Sequence, residues 1–194
     1  MKYLSYQDFE QNKLKCRECA VGKVYNCVVS SDGCKTNPKI LVVGECPGSD
    51  EITLGKPFVG KSGKLLRATL NEFGYRKGNS LITNTIPCRP ENNQFPKDSK
   101  MVDACVYQWL KEEILLTKPK YILLIGATPL KYLLGLNGIT KLRGQWFEYN
   151  GIQTMPTYHP SYVLRKEYME EGEQIKEDFR NDIKDTAIKA GFVN

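Results

Sequence analysis

Two kinds of hydrophobic pattern alternate along the chain. Short, continuous apolar runs that end at glycine or a polar residue are typical of strands buried on both faces. Such runs predict strands at residues 39–43, 80–84 and 121–125. Apolar residues that recur every three or four positions indicate helices with one buried face. This spacing predicts helices at residues 61–73, 97–116 and 128–134, and a charged C-terminal helix that buries Ile175, Phe179 and Ile183.

The dipeptide Asn150-Gly151 separates two further apolar segments, 145–149 and 152–157, and is a strong signal for a hairpin. The first 37 residues show little periodicity, and no regular element is predicted there. Strands that alternate with helices predict a parallel sheet covered by helices on both faces. Because no repeat, low-complexity segment or linker interrupts this pattern, we expect a single domain over residues 1–194.

Composition and charge narrow the class of protein. Hydrophobic residues make up 41% of the chain and charged residues 26%, which is typical of a soluble globular domain. The net charge of +6 is compatible with a polyanionic partner such as nucleic acid, although many basic proteins have no such partner. The N-terminus lacks the apolar core of a signal peptide, and no apolar run is long enough to span a membrane. We therefore expect a cytoplasmic protein with no membrane partner.

Seven cysteines, an odd number in a chain expected to be cytoplasmic, argue against a disulfide framework. A C-x-x-C pair near the N-terminus and two later cysteines could converge as four thiolate ligands. These four are Cys16, Cys19, Cys88 and Cys105. Four thiolates suit either Zn²⁺ or an iron–sulfur cluster, and the spacing does not choose between them. The other three cysteines are Cys27, Cys34 and Cys46.

Ligands of open parallel sheets bind beyond the carboxyl ends of the strands. In this chain those ends lead into residues 44–48, 84–90 and 126–128, and the loop that contains His159 follows the later hairpin strand. We expect the chemistry of the protein in these loops.

Four residues in or near these loops have a chemical and a structural interpretation. Glu45 could orient or deprotonate water, or it could be a solvated loop residue. Phe58 could stack on a flat heterocycle, or it could fill the core. The amide of Asn84 could pair with the edge of a nucleobase, or it could form a turn. His159, the only histidine, could stabilise charge or transfer protons, or it could lie unused at the surface.

A set of motifs in the chain resembles family 4 uracil-DNA glycosylases. Gly44-Glu45-Cys46-Pro47-Gly48 together with residues 55–66 is similar to the first motif of that family. Further similar segments follow in the family's order, at residues 83–84, 88–90, 126–128, 139–144 and 159–165. The resemblance runs from about residue 16 to residue 165. It implies a three-layer α/β/α sandwich around a central, mostly parallel four-stranded sheet, and hydrolysis of the bond between uracil and deoxyribose.

The resemblance implies a role for each matching residue near the base. Phe58 would stack on a uracil that has been flipped out of the DNA. Asn84 would read the N3–H and O4 edge of uracil and reject cytosine. His159 would stabilise the charge that grows on O2 as the base departs, and Glu45 would place the attacking water.

The same resemblance implies further contacts with the base. Backbone N–H groups of the turn formed by Cys46, Pro47 and Gly48 would stabilise the departing anion. Glu51 would crowd C5 of uracil and so exclude thymine. Asn93 corresponds to a further active-site asparagine of the family.

The resemblance also implies partners and a cofactor. Ser161, Tyr162, Leu164 and Arg165 would contact DNA, and the segment from Tyr162 to Arg165 would fill the space that the flipped base leaves. Uracil-containing DNA would be the substrate and free uracil a product, and we expect a monomer. The four cysteines would hold a [4Fe–4S] cluster that braces the DNA-facing loops without a redox role. Structural zinc is the alternative.

Four positions depart from the family pattern. Cys46 stands where the family usually has a small residue, and a relative with glutamine there bonds covalently to the abasic product. That relative also has an inserted basic loop with a histidine, which this chain lacks, so hydrolysis is favoured. Gln94, Tyr25 and Cys27 stand where the family often has arginine, which removes positive charge from the DNA-facing surface. The alternative function is a catalytically weak DNA-binding module, part of a larger replication or repair protein.

Overall fold

A six-stranded sheet forms the centre of the molecule in the computed structural model, which describes residues 2–25 and 28–194. Its strands are β1 (Asp32–Gly33), β2 (Ile40–Gly44), β3 (Ser80–Asn84), β4 (Tyr121–Ile125), β5 (Phe147–Tyr149) and β6 (Ile152–Thr157). The strand order is β1-β3-β2-β4-β6-β5. The four central strands are parallel, as predicted, whereas β1 and β5 pair antiparallel at the two edges. The four parallel strands agree with the expected mostly parallel central sheet, which the edge strands β1 and β5 extend to six. Strands β5 and β6 form the hairpin predicted around Asn150-Gly151.

Helices cover both faces of this sheet, which confirms the predicted three-layer α/β/α arrangement. They are α1 (Tyr6–Leu14), α2 (Ala20–Tyr25), α3 (Ser49–Leu54), α4 (Lys61–Glu72), α5 (Ser99–Cys105), α6 (Glu112–Thr117), α7 (Ala127–Leu134), α8 (Ile139–Leu142), α9 (Pro160–Lys166) and α10 (Gly172–Lys189). A π-helical segment, Val106–Lys111, joins α5 to α6. A 3-10 turn, Glu91–Asn93, follows β3.

Alternation of side chains along each strand divides the core between the two faces. Ile40 and Val42 of β2 face α4, α9 and α10, while Leu41 and Val43 face the α5–α6 segment and α7. The central strands are apolar on both sides for this reason, and that is why their sequences read as continuous apolar runs. None of the helices in residues 2–25 and 28–194 has the length and apolar character of a membrane span.

Helix α1 packs against the π-helical segment and α6 rather than against the sheet. Phe9 and Tyr3 contact the ring of Trp109, with ring centroids 5.9 and 6.2 Å apart, respectively. The helix was not predicted because its two fully buried residues are Phe9 and Lys13. A buried lysine interrupts the apolar pattern from which a helix is inferred.

Candidate active site

A cavity of about 460 Å³ lies at the carboxyl ends of β2, β3 and β6, where the parallel topology brings their following loops together. Its lining residues are Glu45, Cys46, Pro47, Gly48, Glu51, Phe58, Ser62, Asn84, Asn93, His159, Ser161 and Arg165. All the residues expected to be catalytic or to contact the base are therefore in one pocket, which we call the base pocket. An adjoining cavity of about 350 Å³ shares Glu45 and His159 with it.

Phe58 forms part of the floor of the base pocket. Its ring is almost completely buried and lies 6.1 Å from the ring of His159, between centroids. The two glycines beside it are required, because a Cβ at Gly44 would collide with the ring and a Cβ at Gly63 with the backbone of Phe58. The backbone of Phe58 has a φ of 55°, a left-handed conformation that is unfavourable for an aromatic residue by roughly 1–3 kcal/mol.

Two side chains of opposite charge hold the loop that carries Phe58. The carboxylate of Glu51 accepts hydrogen bonds from the N–H groups of Val59 and Gly60, at 2.8 and 2.9 Å. The guanidinium of Arg67 donates to the carbonyl oxygens of Phe58 and Pro57, at 2.9 and 2.7 Å. Sequence patterns did not identify Arg67, because its partners in this loop are backbone atoms that no motif specifies.

Glu51 also limits what the turn at residues 46–48 can offer an anion. Its carboxylate accepts the N–H of Gly48 at 3.0 Å, which begins α3 as in a capping box. Pro47 has no N–H, so at most the N–H of Cys46 remains for a departing base. Glu51 does line the base pocket, but its carboxylate is held by backbone amides of the surrounding loop.

Asn84 presents an unpaired amide to the base pocket. The residue ends β3, directly opposite Gly44 of β2, and only 9% of its surface is exposed. The amide fits against Gly44 because glycine has no side chain; a Cβ there would lie 2.5 Å from Asn84 Oδ1. Within residues 2–25 and 28–194 the amide makes no hydrogen bond, so both its donor and its acceptor are left for a ligand.

His159 caps the N-terminus of α9 with its own ring. Nδ1 accepts the backbone N–H of Ser161 at 3.2 Å, and the Ser161 hydroxyl lies 2.8 Å from the same nitrogen. A backbone N–H can only donate, so Nδ1 carries no proton and the neutral ring has its hydrogen on Nε2. Burial, with a smaller contribution from Arg165, lowers the pKa of His159 to about 4. The ring is therefore neutral at pH 7.

Glu45 lies between the two cavities, and its carboxylate is oriented by Thr128, whose hydroxyl donates a hydrogen bond to Oε2. Thr128 was not identified from the sequence, although it belongs to the segment 126–128 after β4. Oε1 is left free of that bond and 4.0 Å from the thiol of Cys46. Burial and then the carboxylates of Glu45 and Glu51 raise the pKa of the Cys46 thiol to about 12. Cys46 is therefore protonated at neutral pH and is a poor nucleophile.

The residues expected to contact DNA occupy different places on α9. Arg165 is exposed at the rim of the base pocket and donates to Ser161 Oγ at 3.2 Å. Leu164 is half-buried and lines a shallow surface beside that rim. Tyr162 lies outside the base pocket and packs on Tyr158, with ring centroids 5.1 Å apart. Asn93 lines the base pocket and accepts a hydrogen bond from Arg89 Nε at 2.8 Å.

A partly buried ionic network supports the strand end that leads into the loop of His159. Asp182 of α10 accepts a hydrogen bond from the Thr157 hydroxyl at 2.7 Å, and Thr157 is the last residue of β6. Arg143 binds the same carboxylate and also pairs with Asp178 at 3.2 Å. Gly144 completes the arrangement, since a Cβ there would lie 2.7 Å from Asp182 Oδ1. Residues 139–144, one of the segments that resemble the family, are thus connected to the histidine loop through Asp182 and Thr157.

Of the four candidate ligand cysteines, Cys16 and Cys19 lie between α1 and α2, Cys88 lies in the loop after β3, and Cys105 ends α5. Burial, followed by the charges of Cys88, Cys19 and Cys16, raises the pKa of the Cys105 thiol. The other three cysteines therefore lie near enough to Cys105 to affect its ionisation. Among the residues that the structure describes, however, no three potential ligands are positioned to hold a single ion. Cys27 lies outside the described residues, as does the side chain of Tyr25.

Comparison with known proteins agrees with the fold and identifies the family. The sequence matches the family model of the uracil DNA glycosylase superfamily over residues 31–184. The chain therefore belongs to the uracil-DNA glycosylase superfamily. A type-4 uracil-DNA glycosylase of Thermotoga maritima is 36% identical over 167 residues, which are 84% of this chain and 85% of that protein. The type-4 enzyme of Pyrobaculum aerophilum is 35% identical over 78% of this chain and 80% of its own.

These relatives confirm the resemblance to family 4 that the motifs indicate, and they favour a glycosylase over a DNA-binding module. A DNA polymerase of Bacillus phage SP01 is also similar, with 31% identity over 129 residues. The matching segment covers 66% of this chain but only 14% of the polymerase.

Proposed function

We propose that this chain is a DNA-repair glycosylase that flips uracil out of DNA and hydrolyses its glycosidic bond, leaving an abasic site and free uracil. The observation that carries the proposal is the convergence of Phe58, Asn84 and His159 in one pocket at the sheet edge. The proposed enzyme is a single domain that acts as a monomer inside the cell, where its DNA substrate is.

Recognition of uracil follows from the unpaired amide of Asn84. One amide can donate to O4 of uracil and accept from N3–H at the same time, because the two atoms of the base are neighbours. Cytosine presents the opposite donor and acceptor pattern to the same amide orientation. Phe58 would support the face of the base, and base–aromatic stacking contributes about 1–3 kcal/mol.

Departure of the base requires stabilisation of negative charge on O2. The neutral ring of His159 has its proton on Nε2, and this N–H would donate to O2 as the glycosidic bond lengthens. A donor that is already oriented in a site with little water gains most when the charge develops, since no reorganisation is needed. Thus the hydrogen bond from Ser161 to Nδ1 selects the tautomer that the reaction needs.

The attacking water would be held by Glu45. Thr128 fixes one carboxylate oxygen, so the second can accept a hydrogen bond from water and direct its lone pair at the sugar. Glu45 lines both cavities, which permits a base on one side and water on the other. The protonated thiol of Cys46 supports hydrolysis rather than formation of a covalent enzyme–DNA product.

Contacts with DNA are proposed for α9. Arg165 is exposed at the rim and could bind a phosphate beside the flipped nucleotide, while Leu164 could enter the vacated stack. Ser161 also orients the ring of His159, and its hydroxyl accepts a hydrogen bond from Arg165. We expect this hydroxyl to contact a phosphate only if Arg165 turns away from it. Tyr162 would act mainly as packing for the loop, because its ring lies on Tyr158.

Excision is tested with an oligonucleotide that contains one uracil, incubated with the protein and then treated with alkali. Strand scission at the uracil position, with no scission of matched strands that carry cytosine or thymine there, is the expected result. Binding without scission would support the module instead and would contradict the proposed activity.

Glu51 is proposed to exclude the 5-methyl group of thymine from the base pocket.

A [4Fe–4S] cluster is proposed on Cys16, Cys19, Cys88 and Cys105. The influence of the other three cysteines on the Cys105 thiol and the cysteine-only donor set support the cluster. When bound, it would supply a covalent connection between the N-terminal helices, the loop after β3 and α5. Binding and orientation of the base would still depend on Phe58, Asn84 and His159.

The metal content of the purified protein tests this cofactor. A brown protein with about four iron and four sulfide per chain is expected, and Cys88→Ser should lose most of both. A colourless protein with one zinc per chain would contradict the cluster and favour structural zinc.

A further inference from the structure

The ring that supports the base lies in an unfavourable backbone conformation, and the residues that maintain this conformation lie outside the motif. Phe58 has a left-handed φ of 55° between Pro57 and Val59. On one side Glu51 holds the N–H groups of Val59 and Gly60. On the other side Arg67 holds two consecutive carbonyl oxygens, those of Pro57 and Phe58. The peptide groups before and after the ring are therefore both fixed.

Arg67 is itself fixed by the edge strand of the sheet. Its Nη2 pairs with Asp32 Oδ2 of β1 at 2.9 Å, while Nε reaches Phe58 O. Lys77 contacts the other oxygen of Asp32 at 3.3 Å. Burial alone would raise the pKa of Asp32, but Arg67 and Lys77 lower it below its ordinary value, so the carboxylate is charged at neutral pH. Asp32, Arg67 and the Phe58 loop thus form one chain of charge-assisted hydrogen bonds.

We infer that Arg67, held by Asp32, is a positioning residue for uracil: it maintains the backbone conformation in which the Phe58 ring supports the base. The inference rests on the proposed function and extends it to a residue that does not line the base pocket. It gives the two-residue strand β1, which the hydrophobic pattern did not predict, a part in base recognition.

Loss of Arg67 would act through the ring. Without the guanidinium, two carbonyl groups lose their partners and φ of Phe58 can return to a negative value, which moves the ring out of the base pocket. Lysine cannot replace arginine here, because one ammonium group does not present the fork that reaches two carbonyls and a carboxylate. Contacts of α9 with DNA phosphates would remain.

A double-mutant cycle separates positioning of the ring from a general effect on the fold. Uracil release is measured under single-turnover conditions for the wild-type protein, Arg67→Met, Phe58→Ala and the double variant. We expect Arg67→Met to lower the rate constant about tenfold and Phe58→Ala by about 10- to 100-fold. In the Phe58→Ala background, loss of Arg67 should change the rate less than about twofold, because no ring is left to position.

Arg76→Met is the matched control. Arg76 also donates to two carbonyl oxygens, those of Asn71 and Tyr75, but it follows the C-terminal end of α4, whereas Phe58 precedes the N-terminal end. This variant removes the same charge and the same kind of hydrogen bond, and its rate constant should stay within about twofold of wild type. Arg67→Lys should recover only part of the lost rate.

Each result has a defined meaning. Equal loss from Arg67→Met in both backgrounds, or no loss in the wild-type background, would overturn the inference. If Arg67→Met does not fold, Asp32→Asn replaces it in the same cycle, with a several-fold loss expected only when Phe58 is present. Absence of uracil release by the wild-type protein would refute the proposed function, which is a different outcome from an active protein that is indifferent to Arg67.

Discussion

Replacement of His159 by alanine should lower the rate constant of uracil release about 10²- to 10³-fold while the protein remains folded. The ring donates its Nε2–H where charge develops, and removal of one such oriented donor has an effect of this size in other hydrolytic sites. Substrate binding should change little, because the charge on O2 appears only as the bond breaks. Single-turnover kinetics with saturating enzyme measure the chemical step directly. A variant with wild-type turnover would contradict the role of His159.

The pH dependence of stability provides an independent control on the state of the ring. The pKa of His159 in the fold is about 4, below its ordinary value of 6.5, so the unfolded chain binds a proton that the native ring does not. Folding stability linked to this ring is complete above about pH 6.5 and decreases as the pH falls towards 4. His159→Ala should therefore show a shallower loss of unfolding free energy over that range, measured by urea denaturation. An unchanged slope would indicate a solvent-exposed ring.

Replacement of Lys13 by methionine should destabilise the protein by roughly 3–5 kcal/mol. We expect no larger loss of stability from the removal of any other single charged side chain. Lys13 and Glu113 are each 1% exposed and lie 3.4 Å apart. Burial would raise the pKa of Glu113, but Lys13 and hydroxyl donors that include Ser31 and Thr83 hold it below its ordinary value. The carboxylate would therefore remain charged and buried without its cation. Urea or thermal denaturation measures the loss.

The double variant Lys13→Met/Glu113→Gln tests this explanation, because it removes the buried charge as well as its partner. It should be more stable than Lys13→Met alone. Lys176→Met is the matched surface control, since Lys176 forms an exposed pair with Glu173 at 3.8 Å and should contribute less than about 1 kcal/mol. Equal losses of unfolding free energy from Lys13→Met and Lys176→Met would contradict the stabilising role of the buried pair.

The same buried network connects two regions that function separately in the proposed mechanism. Thr83 donates to Glu113 at 2.8 Å and immediately precedes Asn84, whereas Lys13 lies three residues before Cys16. Ser31 bonds to both Thr83 and Glu113, at 2.9 and 2.6 Å. The N-terminal cysteine segment and the strand that carries the base-reading amide therefore share one polar core.

Elements with a local hydrophobic pattern could be predicted from the sequence. The central strands β2, β3 and β4 and helix α4 fall within a few residues of their predicted positions, because complete burial of a strand or one face of a helix determines which residues are apolar. Strand β1 could not be predicted, since it consists of Asp32 and Gly33 and exists only through its pairing with β3.

The base pocket could also be predicted, but the residues that support it could not. Asn84 and His159 lie in loops that follow strand ends, which parallel topology brings together, whereas the place of Phe58 beside them follows from the family resemblance. Arg67, Thr128 and Asp182 act through hydrogen bonds to residues distant in sequence, and their spacing carries no signal of this. The turn at residues 46–48 shows the same limit, because the partner of the Gly48 N–H is visible only in three dimensions.

A crystal structure of the protein with uracil bound tests the shared pocket most directly. The expected complex has uracil stacked on Phe58, its N3–H and O4 paired with the amide of Asn84, and O2 about 3 Å from Nε2 of His159. Uracil bound at another place, or bound in the pocket with its N3–H and O4 edge turned away from Asn84, would contradict the proposed site.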